Sequence, residues 1–267
     1  MRIFLIALTF MLANTQFLLA MNYNGNVLPG YIKGAHIDYI DSGIVAITTG
    51  YGECNGKFWQ ITTEAYIELN DTDVLSGGIP YGEDFIYIYI DYSSVDWSNP
   101  LVIDDTSTTD VIGSLTEPTW SDLKQGWYNG DDRCIGVIWT PVDSCTIQYF
   151  RRASSNKYLI NIKKIQDNGN PSSTWQECEE TEENYTPVNT TAIFITANNS
   201  DSNEHVRINV CTYEETVQKL QAAGYTEGVL SGWLYVNRNW SRKLKWLGYN
   251  GDDSFFDINI YGYEIER

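Results

Sequence analysis

Phe85-Ile86-Tyr87-Ile88-Tyr89-Ile90 sets an isoleucine at every even position and an aromatic ring at every odd one. Successive side chains of an extended strand point to opposite faces, so this segment has an aliphatic face and an aromatic face, and both need cover. A strand covered on both sides belongs inside a layered β-protein, and the rest of the chain reads the same way. Short runs rich in Ile, Val, Tyr, Phe and Trp, broken by Gly, Asn, Asp and Ser, predict strands at 31–40, 43–49, 57–63, 85–91, 134–140, 145–151 and 157–165. A second set is expected at 191–197, 205–212, 232–236, 243–248 and 254–265. There Val206, Ile208 and Val210 alternate with Arg207 and Asn209, and Phe256, Ile258 and Ile260 alternate with Asp257 and Asn259. Each such strand should turn one face inward and the other toward water or a partner. A single short helix is expected at 214–223, where Val217, Leu220 and Gln221 recur at helical spacing and Gly224 offers a stop.

Composition narrows the class further. The 267 residues carry 35 acids against 17 bases, a formal charge of -18, so a phosphate backbone would be repelled over most of the surface. Nucleic-acid binding is excluded on that ground. Aromatics make up 14% and glycine supplies 21 residues, which suits an exposed adhesion or binding protein better than a cytosolic enzyme.

No Lys or Arg occurs between Lys164 and Arg207, and residues 167–191 hold six acids among Pro, Ser, Thr and Asn. The expected architecture is therefore all-β, with two tandem antiparallel β-sandwich or jelly-roll-like domains at 22–166 and 187–267, joined by an acidic polar linker at 167–186. Residues 1–20 are apolar after Arg2 and read as an export signal cleaved after Ala20, as a retained anchor, or as a stretch preceding a start at Met21. The sequence YNGDD occurs at 128–132 and again at 249–253, each time before an apolar run. Turn chemistry accounts for the motif, because Asn-Gly supplies positive-φ positions, and a duplicated β-domain would account for it too.

Catalytic chemistry finds little support. His36 and His205 are the only histidines, neither lies in a recognisable motif, and nucleophile-elbow, zinc-hydrolase and phosphate-loop patterns are missing. Paired carboxylates are plentiful, at Asp104 with Asp105, Asp131 with Asp132, Asp252 with Asp253, and Glu83 with Asp84, besides Glu53. A glycoside hydrolase needs two that converge, and spacing does not choose a pair. Asp252, Asp253 and Asp257 approach a calcium loop without its diagnostic spacing. The five cysteines show neither metal nor redox spacing and are expected as buried thiols, with a Cys134 to Cys145 bridge left open. No metal or cofactor is expected.

Trp and Tyr combine a flat apolar face with a polar edge, which suits stacking on sugar rings and packing at interfaces. Trp97, Trp120 and Trp233 stand in or beside expected loops, as do the four residues chosen as ligand contacts, Trp127, Tyr128, Trp240 and Tyr249.

The segments LPGYIKGAHIDYIDSGIVAITTGYGECNGKFWQIT (28–62), DFIYIYIDYSS (84–94), DDRCIGVIWTPVDSCTIQYF (131–150) and DINIYGYEIER (257–267) resemble virion structural proteins of tailed bacteriophages, of the tail-fibre or surface-fibre sort. The likeness is one of texture: short Tyr- and Ile-rich strands, Gly and Asn turns, and a last strand holding Gly262, Tyr263 and Glu264. It implies a non-enzymatic, trimer-prone, receptor-facing or architectural role at the virion surface, with other virion proteins or host-surface glycans as partners. The apolar leader departs from that pattern. Alternatives are a secreted lectin-like or carbohydrate-binding protein, an architectural filament or decoration subunit, and a glycoside hydrolase.

Overall fold

The computed structural model describes residues 28–69, 75–76, 84–97, 104–105, 108–141, 146–154, 156–169, 174–178, 186–199, 206–212, 220–224, 229–238, 240–249 and 256–267. Every regular element among them is a strand, so the chain is all-β, and no described helix is long and apolar enough to cross a membrane. The apolar leader, His205 and the second YNGDD turn lie outside the described residues.

The first expected strand, 31–40, is two strands in two sheets. Ile32–Gly34 joins Gly50–Cys54 and Lys57–Ile61 in one three-stranded sheet, while Ile37–Tyr39 joins Ile44–Ile47 and Ala65–Glu68 in another. The break falls where Gly34 and Ala35 take φ of 72° and 50°, left-handed backbone that ends a ladder and turns the chain. Asp84–Ile90, the segment with two apolar faces, sits inside a six-stranded sheet between Asp132–Thr140 and Val111–Ser114. Its isoleucines and tyrosines alike are buried within one chain, and so the covering it needs is intramolecular.

A five-stranded sheet orders Phe150–Arg152, Lys157–Gly169, Phe256–Ile265, Thr190–Asn199 and Val229–Tyr235. Facing it, Gln176–Glu177, Leu244–Tyr249, Val206–Thr212 and Leu220–Gly224 make a four-stranded sheet. Between the two lies a sandwich core of Ile193, Ile195, Phe256, Ile258 and Ile260 against Val210, Leu244 and Trp246. The last strand also serves the first core, through Tyr263 and Ile265. A bulge makes that possible: Ile195 pairs Ile260 and Phe194 pairs Gly262, so Tyr261 is an extra residue and Tyr263 keeps the inward face of Ile260. Lys157–Gly169 runs through the composition break at 166 and pairs with the last strand, so backbone hydrogen bonding is continuous across that point.

Three local expectations change. The residues 220–223, expected in a helix, are extended: Leu220–Gly224 pairs residue by residue with Val206–Thr212, from Val210 with Leu220 to Val206 with Gly224. A weak ten-residue helical pattern yields to a ladder that satisfies the same backbone groups and adds tertiary packing. Two positions on the expected polar faces are covered, since Asn209 and Asn259 are only 3% and 4% exposed. The YNGDD turn at 128–132 is a two-residue hairpin loop, with Asn129 pairing Asp132 and Gly130 at φ 61°. Its echo leads instead from Leu244–Tyr249 in one sheet to Phe256–Ile265 in another, so the two copies occupy different topological places.

Candidate functional site

The loop positions expected for Trp127 and Tyr128 are corrected. Both belong to the strand Gly126–Asn129, and they are 4% and 2% exposed. The Trp127 indole packs edge-on against Trp120 at 5.8 Å and donates to Glu266 at 3.3 Å. Tyr128 donates its hydroxyl to Glu53 at 3.3 Å, and burial pushes its pKa up to about 12. Trp240 does lie between strands, yet it is 7% exposed and forms part of the sandwich core. Tyr249 ends the strand Leu244–Tyr249 opposite Arg207, and its side chain lies outside the described residues. Trp127, Tyr128 and Trp240 went inward because burying a large aromatic surface stabilises a β-core by several kcal/mol, roughly 25 cal/mol per Å², which outweighs local turn composition.

The carboxylates likewise serve turns and contacts between strands. Glu53 is buried and accepts the Gly30 and Gly56 main-chain N–H groups besides the Tyr128 hydroxyl. Burial opposes the charge on Asp91, but hydrogen bonds from Ser93 and Ser94 outweigh it and its pKa falls. Asp132 has its pKa raised, first by burial, while it accepts the Tyr92 N–H at 2.9 Å. Asp131 pairs with Lys124 at 2.8 Å. Among the described residues no three His, Cys, Asp or Glu side chains gather as a metal site. Cys54 and Cys134 are buried free thiols whose pKa values rise to about 12 through desolvation, so neither is a thiolate near neutrality. Cys145 lies outside the described residues.

The arrangement suited to a ligand is on the outer face of the first three-stranded sheet. Cys54-Asn55-Gly56-Lys57 forms a two-residue hairpin with both central residues at positive φ, 49° and 82°, the demand that an Asn-Gly pair meets at least cost. That turn fixes the register: Lys33, Tyr51 and Gln60 stand abreast on three strands, and Phe58 opposes Glu53 one step along the same face. Trp59 and Ile61 therefore point inward, where both are buried. Outside, Tyr51 contacts Tyr31 at 5.8 Å and Phe58 at 6.1 Å between ring centroids, and all three rings are half-buried. Tyr31 donates its hydroxyl to that of Tyr51 at 3.5 Å, the first cause of its raised pKa.

Beside this aromatic row opens a groove of about 870 Å³, lined by Lys33, His36, Thr49, Gln60, Thr62, Asn156 and Arg267 around the backbone of Gly34 and Gly50. The two glycines are required. A Cβ on Gly50 would stand 2.1 Å from the Ala35 nitrogen, and one on Gly34 would stand 2.4 Å from the Thr49 oxygen, so the chains cross as bare backbone. Arg267 closes the far side by donating Nη1–H to the carbonyls of both Gly34 and Ala35 at 2.8 Å. Its Nε and the Asn156 Oδ1 are buried with no hydrogen-bond partner among the described residues. Burial lowers the Arg267 pKa, chiefly by desolvation.

None of these residues was chosen from the sequence. The Asn-Gly pair inside ECNGKF, flanked by alternating side chains, was the local signal for the hairpin. Nothing local brings Asn156 and Arg267 to it. Comparison with known proteins finds no family model that matches the chain, and no match among curated proteins or solved structures.

Proposed function

We propose that the protein is a non-enzymatic attachment protein of the virion-fibre kind, acting at the virion surface or outside the cell, and that it holds host-surface glycans in the groove beside Tyr51. The observation that carries this reading is the joining of an aromatic row, Tyr31, Tyr51 and Phe58, to a groove of hydroxyl, amide and guanidinium groups. A pyranose offers one face of C–H groups, which packs on such rings, and an equator of hydroxyls, which exchange hydrogen bonds with Thr, Gln, Asn and Arg. The groove replaces Trp127, Tyr128, Trp240 and Tyr249 as the proposed contact. An open site of this type binds weakly, and several copies on one particle raise avidity by about 10²- to 10⁴-fold without a new contact.

A glycan array followed by titration calorimetry tests the reading. Wild type is expected to retain a subset of saccharides, and Tyr51→Ala is expected to lose them with little change in melting temperature. Retention of no glycan, or binding indifferent to Tyr51→Ala, would overturn it. Turnover of any polysaccharide on a panel would overturn the non-enzymatic part.

A further inference from the structure

Resting on the glycan reading of the groove, a more specific inference concerns the charge of the sugar. The chain as a whole holds 35 acids against 17 bases, yet Lys33, His36 and Arg267 line the groove and, among the described residues, no Asp or Glu side chain does. Arg267 spends Nη1 on two carbonyl oxygens, leaves its buried Nε–H unpartnered, and forms no ion pair among the described residues. A guanidinium partly withdrawn from water, with no ion-pair partner among the described residues, gains when an oxyanion seated beside it forms charge-assisted hydrogen bonds. Neighbouring charge does not supply the remedy. Arg152, which lies close enough to disfavour the Arg267 charge, is itself held by Asp38 through two contacts at 2.7 and 2.9 Å. Arg133, a second such neighbour, is fully buried, with Nε and Nη1 unpartnered among the described residues.

We infer that the groove takes a saccharide bearing an oxyanion, a carboxylate or a sulfate ester, with the sugar ring against Tyr51 and the anionic group facing Arg267 and Lys33. The acidic remainder of the molecule sets a limit, because its field repels a densely charged polymer. Selectivity is thus for isolated oxyanions on an otherwise neutral glycan.

Titration calorimetry with matched short oligosaccharides tests this: a neutral trisaccharide, the same trisaccharide with one terminal uronic acid, the same with one sulfate ester, and heparin as the dense polyanion. The singly charged ligands are expected to bind about ten-fold or more tighter than the neutral one, a preference that shrinks as NaCl rises from about 50 to 500 mM. Which of the two is preferred identifies the oxyanion. In Arg267→Met and in Lys33→Met the singly charged ligands should each bind no tighter than the neutral trisaccharide measured on the same variant. Lys33 is an exposed side chain, so its variant keeps the test informative if loss of the Arg267 anchor disturbs the fold. Equal affinity for neutral and charged forms, both lost in Tyr51→Ala, overturns this inference and leaves the glycan reading standing. Heparin binding tighter than the singly charged ligands overturns it as well, and no saccharide binding at all removes both.

Discussion

At the scale of single residues, the two hairpin glycines and the two crossing glycines divide by what a methyl group would meet. Gly56 has open space around its missing Cβ and only a positive φ of 82° to defend, so Gly56→Ala is expected to cost about 1 kcal/mol. Gly50 meets backbone at 2.1 Å, and Gly50→Ala should cost more, about 3 kcal/mol, with loss of the groove. Urea unfolding midpoints at an unchanged slope compare the two. Asp132 gives a pH-dependent case. Its folded pKa lies above 3.8, so the ionised form weighs against the fold at neutral pH and that penalty fades as pH falls toward the unfolded value. Asp132→Asn, which keeps an acceptor for the Tyr92 N–H, should therefore stabilise by about 0.5 kcal/mol at neutrality after solvent screening, and the gain should disappear in acid. Thermal melts at both pH values check the sign. The thiols show the same sign of dependence in a more alkaline window. Cys54 and Cys134 rise from 9.0 to about 12 on folding, so the stability they contribute is complete below pH 9.0 and is lost as pH climbs toward 12. Iodoacetamide at pH 8 should leave both unlabelled until the protein unfolds.

Among elements, the contacts that tie the C-terminal strands to the N-terminal sheets are polar and aromatic together. Arg238 lies over the Trp120 ring at 3.5 Å and forms two hydrogen bonds to Glu266, which also accepts from Trp127. Arg242 pairs with Glu117 at 2.9 Å, and Glu117 accepts from Tyr87. Because Arg238 is about half exposed, its ion pair alone contributes little, and stacking adds about 1 kcal/mol. A double-mutant cycle between Arg238→Ala and Trp120→Leu should return a coupling of about 0.5–1 kcal/mol. Strand identity was readable at this scale: every one of the expected strands from 43–49 to 254–265 overlaps a strand in the structure. The shorter neighbours Ala65–Glu68, Val111–Ser114, Thr119–Ser121 and Gly126–Asn129 were not, because three or four residues make too few alternations to stand out from turn composition. Leu220–Gly224 misread as helix for a related reason, since five residues fit either period and only the partner strand decides.

For the whole molecule, a formal charge of -18 implies self-repulsion in the folded state, and added salt should raise the melting temperature by screening it. The glycan reading places weak sites in a repeated assembly, and the homotrimer expected from the resemblance belongs to that proposal. The tyrosine face of Asp84–Ile90 is buried inside a single chain and offers no contact for such an assembly. Sedimentation equilibrium is expected to give a trimer, and a monomer at micromolar concentration would count against it. The amino-acid sequence alone determined that this chain forms strands, where most of them lie, and that the Asn-Gly step of YNGDD at 128–132 makes a turn, since side-chain alternation and positive φ are properties of adjacent residues. Tertiary structure alone decided which aromatic rings are buried and which line a surface, and it brought Gly34, Gly50, Asn156 and Arg267 to one groove. That meeting depends on the placement of strands as far apart as Ile32–Gly34 and Phe256–Ile265, and an arrangement over such a separation is chosen by the packing of the whole core rather than by anything the neighbouring residues encode.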